Sequence, residues 1–166
     1  MSESPIKYST SAEWTHGHQG VIHSPKKPDV AVVCPPPFCM EADDLWSPEE
    51  FFVGAVELCL MMTFLYFADR GRFAFLSYKS RAEGLVEYLD GKAQFTQIHL
   101  YPRIAVAEEG LVSKAQRLLR GAERNCLVTL SIKSQVVVHP EIVVGESGSP
   151  GPAETKQESS KLEPFE

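Results

Sequence analysis

SPEEFFVGAVELCLMMTFLYFADRG, residues 47–71, is the stretch on which the fold turns. Ser47 is a capping residue, Pro48 suits the first helical position, and Glu50 completes a capping box three residues after the serine. A helix is therefore expected from Pro48 to about Ala68 or Asp69. Arg70 and Gly71 would close it, a cation at the negative end of the dipole followed by a residue tolerant of left-handed backbone. The body of this helix is apolar on every side, the pattern of a helix buried centrally in a fold. Phe51 to Ala68 also approaches the ~20 residues that cross a bilayer. Glu57 sits inside it, however, and a carboxylate is costly in lipid, so the expectation is a soluble core helix and no membrane.

On the N-terminal side, short apolar or alternating runs over Ile6–Trp14, Gly20–His23 and Asp29–Cys34 are broken by Gly, Pro and His-rich turns, and read as two or three antiparallel strands. CPPPFC, Cys34 to Cys39, cannot continue a central strand because three prolines remove three backbone donors. On the C-terminal side, two long strands are expected over Phe73–Leu89 and Ala93–Val106, joined by Asp90-Gly91, a dipeptide that favours a tight hairpin turn. Pro102 implies an edge, bulge or bend in the second. From Glu108 to Arg124, Leu111, Val112, Ala115, Leu118, Leu119 and Ala122 recur at helical spacing with Lys114, Arg117 and Arg120 opposite, an amphipathic surface helix. A short helix over about Cys126–Lys133 and a strand over Val136–Val144 follow. Beyond Gly145 the chain is polar and rich in Gly, Ser, Pro and Glu, so residues 146–166 are expected to be disordered. Residues 1–145 then form one α+β domain, with antiparallel strands curling around or beside the apolar helix.

The 166 residues, 43% of them hydrophobic, suffice for one core, and a net charge of -6 without a basic stripe argues against nucleic acid. MSESPIKYSTSAEW has neither a signal-peptide nor a transit-peptide character, which points to the cytoplasm. Any disulfide there would be transient, part of a catalytic or sensing cycle. Cys59, in the middle of the apolar helix, and Cys126, at the start of another, therefore suggest redox chemistry. Cys34, Cys39, His16, His18 and His23 lack the paired spacing of metal sites, so no metal is expected and Cys34 and Cys39 are read as loop thiols.

Three pieces in order carry a resemblance: SPEEFFVGAVELCLMMTF, GKAQFTQIHLYPRIAV and AERNC. From about residue 6 to 144 the chain resembles the OsmC/Ohr family of osmotically inducible and organic hydroperoxide resistance proteins. The resemblance implies an OsmC-like fold in an intertwined homodimer, two active sites at the subunit interface, and thiol-dependent reduction of organic hydroperoxides. It matches Cys59 to the peroxidatic cysteine, Cys126 to the resolving one and Glu49 to the acidic residue of a Pro-Glu pair. An external dithiol would serve as reductant, with no cofactor. Two departures stand out. His18 occupies the place of the arginine found in the family's peroxidases, and Leu127 follows the second cysteine where proline is common.

A peroxidatic cysteine must be a thiolate, and an apolar surrounding alone would raise its pKa. Cys59 lies too far along its helix to feel the N-terminal dipole, so His18, Arg70, Arg103 or Arg124 would have to supply positive charge. Cys126, at a helix start, is expected to gain from unpaired backbone donors. Glu49 lies about 15 Å from Cys59 along a straight helix, which rules out direct contact unless the helix breaks or an intervening cation links them. Glu57 falls on a different face, expected at a dimer interface or in solvent. The stretch around Met62 is core, and would also line a pocket for an apolar hydroperoxide tail. The competing reading is a non-enzymatic dimer of the same fold that binds an apolar small molecule at its interface, with the cysteines merely packing.

Overall fold

The computed structural model describes residues 4–39 and 44–145; the polar tail expected at 146–166 lies outside them. Compact packing divides the chain between Phe51 and Phe52 into two units. In the first, β1 (Ser11–His16), β2 (Gln19–His23) and β3 (Val30–Val33) form an antiparallel sheet in that order. β1 begins later than the pattern from Ile6 implied. Its ladder opens with Ser11 opposite His23, and Ser24-Pro25 turns the chain before β2 could pair with anything earlier.

The CPPPFC segment is a loop, as expected, but its cysteines are not free thiols. Cys34 and Cys39 are joined by a disulfide, with Cα atoms 5.6 Å apart. The reason is local: the amides of Phe38 and Cys39 both donate to Pro35 O at 3.0 Å, folding the segment back on itself. The Val33 amide then donates to Trp46 O at 3.0 Å, which leads the chain into its long helix.

That helix, α1, spans Pro48–Arg70. The capping box forms in both directions: the Glu50 amide donates to Ser47 Oγ at 3.1 Å, and the Ser47 amide donates to the Glu50 carboxylate at 2.8 Å. At the other end the Phe73 amide donates to Ala68 O at 2.8 Å and the Arg72 amide to Asp69 O at 2.9 Å, a Schellman closure. The left-handed residue is Arg72, at φ 44°, rather than Gly71, because the helix continues through Arg70 and moves the cap on by one position.

In the second unit the expected hairpin turns at Asp90 (φ 50°) and Gly91 (φ 74°), the two positive values that a type I′ turn needs. Both of its long strands are broken, into β4 (Ser77–Lys79) and β5 (Ala82–Leu89), then β6 (Lys92–Leu100) and β7 (Arg103–Val106). The final strand breaks likewise, into β8 (Gln135–Val138) and β9 (Glu141–Val144). Pro102 and Pro140 lie at two of these breaks, where a missing amide interrupts the ladder. The pieces sort into two sheets, β4-β7-β9 and β5-β6-β8. Each is mixed, where wholly antiparallel sheets were expected. β8 and β9 run parallel to β6 and β7 because the chain returns through helices, a crossover that restores its direction.

Side chains from the three bends stack on one another. The Arg81 guanidinium lies 3.7 Å from the centroid of the Tyr101 ring, and Tyr101 stacks on His139 at 4.7 Å. His99 Nδ1 meets His139 Nε2 at 2.9 Å beside them.

The crossover consists of a 3-10 turn (Glu109–Leu111), α2 (Val112–Asn125) and α3 (Leu127–Ser131). Val56, Leu60, Phe64 and Ala68 of α1 form one core with Ile98 and Leu100 of β6, Ile104 and Val106 of β7, and Ala115, Leu119 and Ala122 of α2. The opposite line of α1 is uncovered, with Leu58, Met62 and Tyr66 at 54%, 55% and 54% exposure. One chain thus buries one face of a helix whose sequence is apolar all round.

Gly84 sets how closely α1 approaches the hairpin: a Cβ there would lie 2.6 Å from both Val53 Cγ2 and Phe95 Cε1. Gly84→Val is expected to destabilise the fold by about 1–3 kcal/mol through overpacking. Calorimetry would register a lower melting temperature, and an unchanged one would refute this account of the contact.

Candidate active site

α2 packs antiparallel along the C-terminal half of α1. Lys114 Nζ donates to Gly71 O at 3.1 Å, and Gly121 lies against the Phe67 ring, where a Cβ would be 3.8 Å from its carbons. Following that pairing, the end of α2 falls opposite the middle of α1. Cys126 then leaves α2 in an extended conformation (φ -70°, ψ 108°) and serves as the N-cap of α3. The two free cysteines, 59 and 126, are brought together by this packing.

Their surroundings differ. Cys126 is fully buried, whereas Cys59 is half-buried and lines an open depression of about 390 Å³ with Met62, Thr63, Tyr66, Phe67 and Asn125. The Val128 amide donates to Cys59 Sγ at 3.5 Å. The Thr129 hydroxyl donates to Cys126 Sγ at 3.1 Å. Burial pushes the Cys126 thiol up, the Thr129 hydroxyl pulls it down, and the neighbouring Cys59 pushes it up again. The net direction is upward, opposite to the acidic cysteine expected at a helix start. Desolvation outweighs whatever a five-residue helix supplies.

The candidate cations are dispersed. Arg70 Nη1 donates to Tyr66 Oη at 2.9 Å, which ties it to a residue lining the depression. Arg103 Nε donates to Glu141 at 3.1 Å across β7 and β9, so it is engaged elsewhere. Arg124 is exposed near the end of α2. His18 lies in the β1–β2 turn of the first unit, where its carbonyl accepts the Cys34 amide at 3.1 Å. Glu49, in the first turn of α1, keeps one carboxylate oxygen, Oε2, buried without a hydrogen-bond partner. Met62 lines the Cys59 depression, though it is exposed and not part of the core.

Glu57, half-buried, accepts a hydrogen bond from Ser80 Oγ in the same chain. The Tyr78 hydroxyl is buried near Ser80, and burial, then the Glu57 carboxylate, hold that phenol well above its ordinary pKa. Thr129 and Asn125, by contrast, were not among the residues expected at the site. Thr129 had a legible signal, since three residues after a helix-capping cysteine is within side-chain reach.

Comparison with known proteins followed the same outline. A family model described as OsmC-like protein matches residues 41–141, more than half of the chain. Among curated proteins none matches. An OsmC-like protein from Vibrio cholerae superposes with a TM-score of 0.72 at 21% identity, covering 84% of this chain and 100% of that one. An organic hydroperoxide resistance protein OsmC from Legionella pneumophila gives 0.66 at 15%, covering 86% and 100%. The organic hydroperoxide resistance protein OhrB of Bacillus subtilis gives 0.61 at 17%, covering 82% and 98%. At these identities the likeness establishes the fold.

In Cys59→Ala, Cys126 is the remaining free thiol, and adding Thr129→Val removes the hydroxyl that steadies its thiolate. The ultraviolet thiolate absorbance should then appear at higher pH in the double variant than in the single one. Coincident titrations would exclude Thr129 from the site.

Proposed function

This chain belongs to the OsmC-like protein family, and from that premise we propose that it is a thiol-dependent peroxidase of organic hydroperoxides. Cys59, as thiolate, attacks the outer oxygen of the peroxide and breaks the O–O bond. It becomes a sulfenic acid, and the alkoxide leaves with a proton as the alcohol. Cys126 then attacks the sulfenic sulfur, expelling water and forming a disulfide. An external dithiol reduces that disulfide by exchange and departs oxidised.

The observation that carries this reading is the pairing itself: two free thiols, distant in the chain, meet beside a depression with an apolar wall. Met62, Tyr66 and Phe67 suit the organic part of a hydroperoxide. The half-exposed thiol is the one to meet substrate, and the buried thiol is the one to resolve it. The Val128 amide steadies negative charge on Cys59, with Arg70, bound to Tyr66, as the cation tied to the depression's lining. In this scheme Glu49 and His18 keep only the roles that the family resemblance gives them, an acidic residue and the counterpart of the family's arginine.

The dimer reading draws on the uncovered stripe Leu58, Met62 and Tyr66, together with Leu127 and Leu130 on α3, exposed at 65% and 70%. Exposed apolar surface of this kind is costly in water unless a second copy covers it. Sedimentation should give a dimer, and Leu58→Glu with Met62→Glu should shift it to monomer. A monomeric parent chain would remove this part of the proposal.

A second reading keeps the fold without the chemistry: a dimer that binds an apolar small molecule. The raised Cys126 thiol favours it. Turnover of cumene hydroperoxide with a dithiol separates the two. Cys59→Ser should lower the rate on the order of a thousandfold or more, and one equivalent of hydroperoxide should remove two hydrogens from the intact mass, mapped to Cys59 with Cys126. Equal rates, or an unchanged mass, would leave the binder.

A further inference from the structure

The Cys34–Cys39 disulfide is used by none of the chemistry above, and we propose that it is a second redox site, exchanging directly with dithiols while the protein stays folded. Its first support is access. Both cysteines are half-buried, and the intervening Pro36, Pro37 and Phe38 are exposed, so the bond lies in a surface loop rather than in a core. Exchange requires an attacking thiolate to reach one sulfur along the S–S axis, and a disulfide sealed in a core denies that approach.

The second support is that the loop has its shape without the bond. The Phe38 and Cys39 amides both donate to Pro35 O at 3.0 Å, and the Cys34 amide donates to His18 O at 3.1 Å in continuation of the β2–β3 ladder. Three prolines restrict the remaining freedom of the segment. Opening the bond therefore releases little chain, and the two thiols stay close enough to close it again. A disulfide across five positions also constrains the unfolded chain far less than one closing a long loop, so it is a poor brace.

The exchange is balanced with a dithiol as co-reactant. Its thiolate attacks one cysteine sulfur, breaks the S–S bond and forms a mixed disulfide. Its second thiol then displaces that sulfur, leaving Cys34 and Cys39 as thiols and the reagent as a disulfide. Two electrons and two protons pass to the protein. An oxidised dithiol drives the reverse. Because Cys59 and Cys126 take no part, the pair should titrate identically when they are altered.

The test equilibrates the native 166-residue chain in graded mixtures of reduced and oxidised dithiothreitol, traps thiols with N-ethylmaleimide and maps the adducts by peptide mass, with circular dichroism in parallel. Cys34 and Cys39 should gain adducts together and reversibly, with the dichroism unchanged and the same midpoint in Cys59→Ser. The rate of reduction should lie within about tenfold of that of the denatured chain, as for a bond that needs no global unfolding. A slower native rate, or reduction only where dichroism is lost, would make the bond a structural brace and overturn the proposal. Adducts on both residues under fully oxidising conditions would overturn it as well. Neither result bears on peroxide turnover, so the two proposals fail separately.

Discussion

The contact on which the rest depends is the line Val56, Leu60, Phe64 and Ala68 pressed into the core of its own chain. Each such side chain, fully withdrawn from water, contributes about 1.5–3 kcal/mol for the larger residues. Phe64 is the centre, fully buried, with the rings of Phe75 and Tyr78 at 5.5 and 5.4 Å. Hydrophobicity alone cannot choose this face, because Leu58, Met62 and Tyr66 are as apolar. The choice rests on polar and steric details. In this rotation Glu57 accepts a hydrogen bond from Ser80, and Gly84 leaves room for Val53.

Once α1 is seated, the site follows. α2 lies antiparallel against it, with Gly121 beside the Phe67 ring, and five residues further on the chain delivers Cys126 to the level of Cys59. The helix that carries the half-exposed thiol is thus also the one that lines the depression beside it. The same placement leaves one sulfur half-exposed and the other buried.

The bends of the second unit show a different economy. Three chain passes change sheets at one level, and a stack of Arg81, Tyr101 and His139 bridges them. Pro102 and Pro140 account for two of the breaks by withholding amides. The break after Lys79 has no such residue, and was invisible in the pattern for that reason.

The sequence by itself determined the helix start at Ser47-Pro48, because a cap is a local contest among neighbouring backbone donors. It likewise determined the Asp90-Gly91 turn, the bend at Pro102, the amphipathic α2 and the α+β order. Those features depend on residues within a few positions of one another. Only the tertiary structure decided which face of α1 is buried, that Cys59 and Cys126 meet, that Cys34 and Cys39 are bonded, and that β8 and β9 join their sheets in parallel. Each is a pairing between segments brought together by packing or by loop geometry, and periodicity records which side of an element is apolar, not what comes to lie against it.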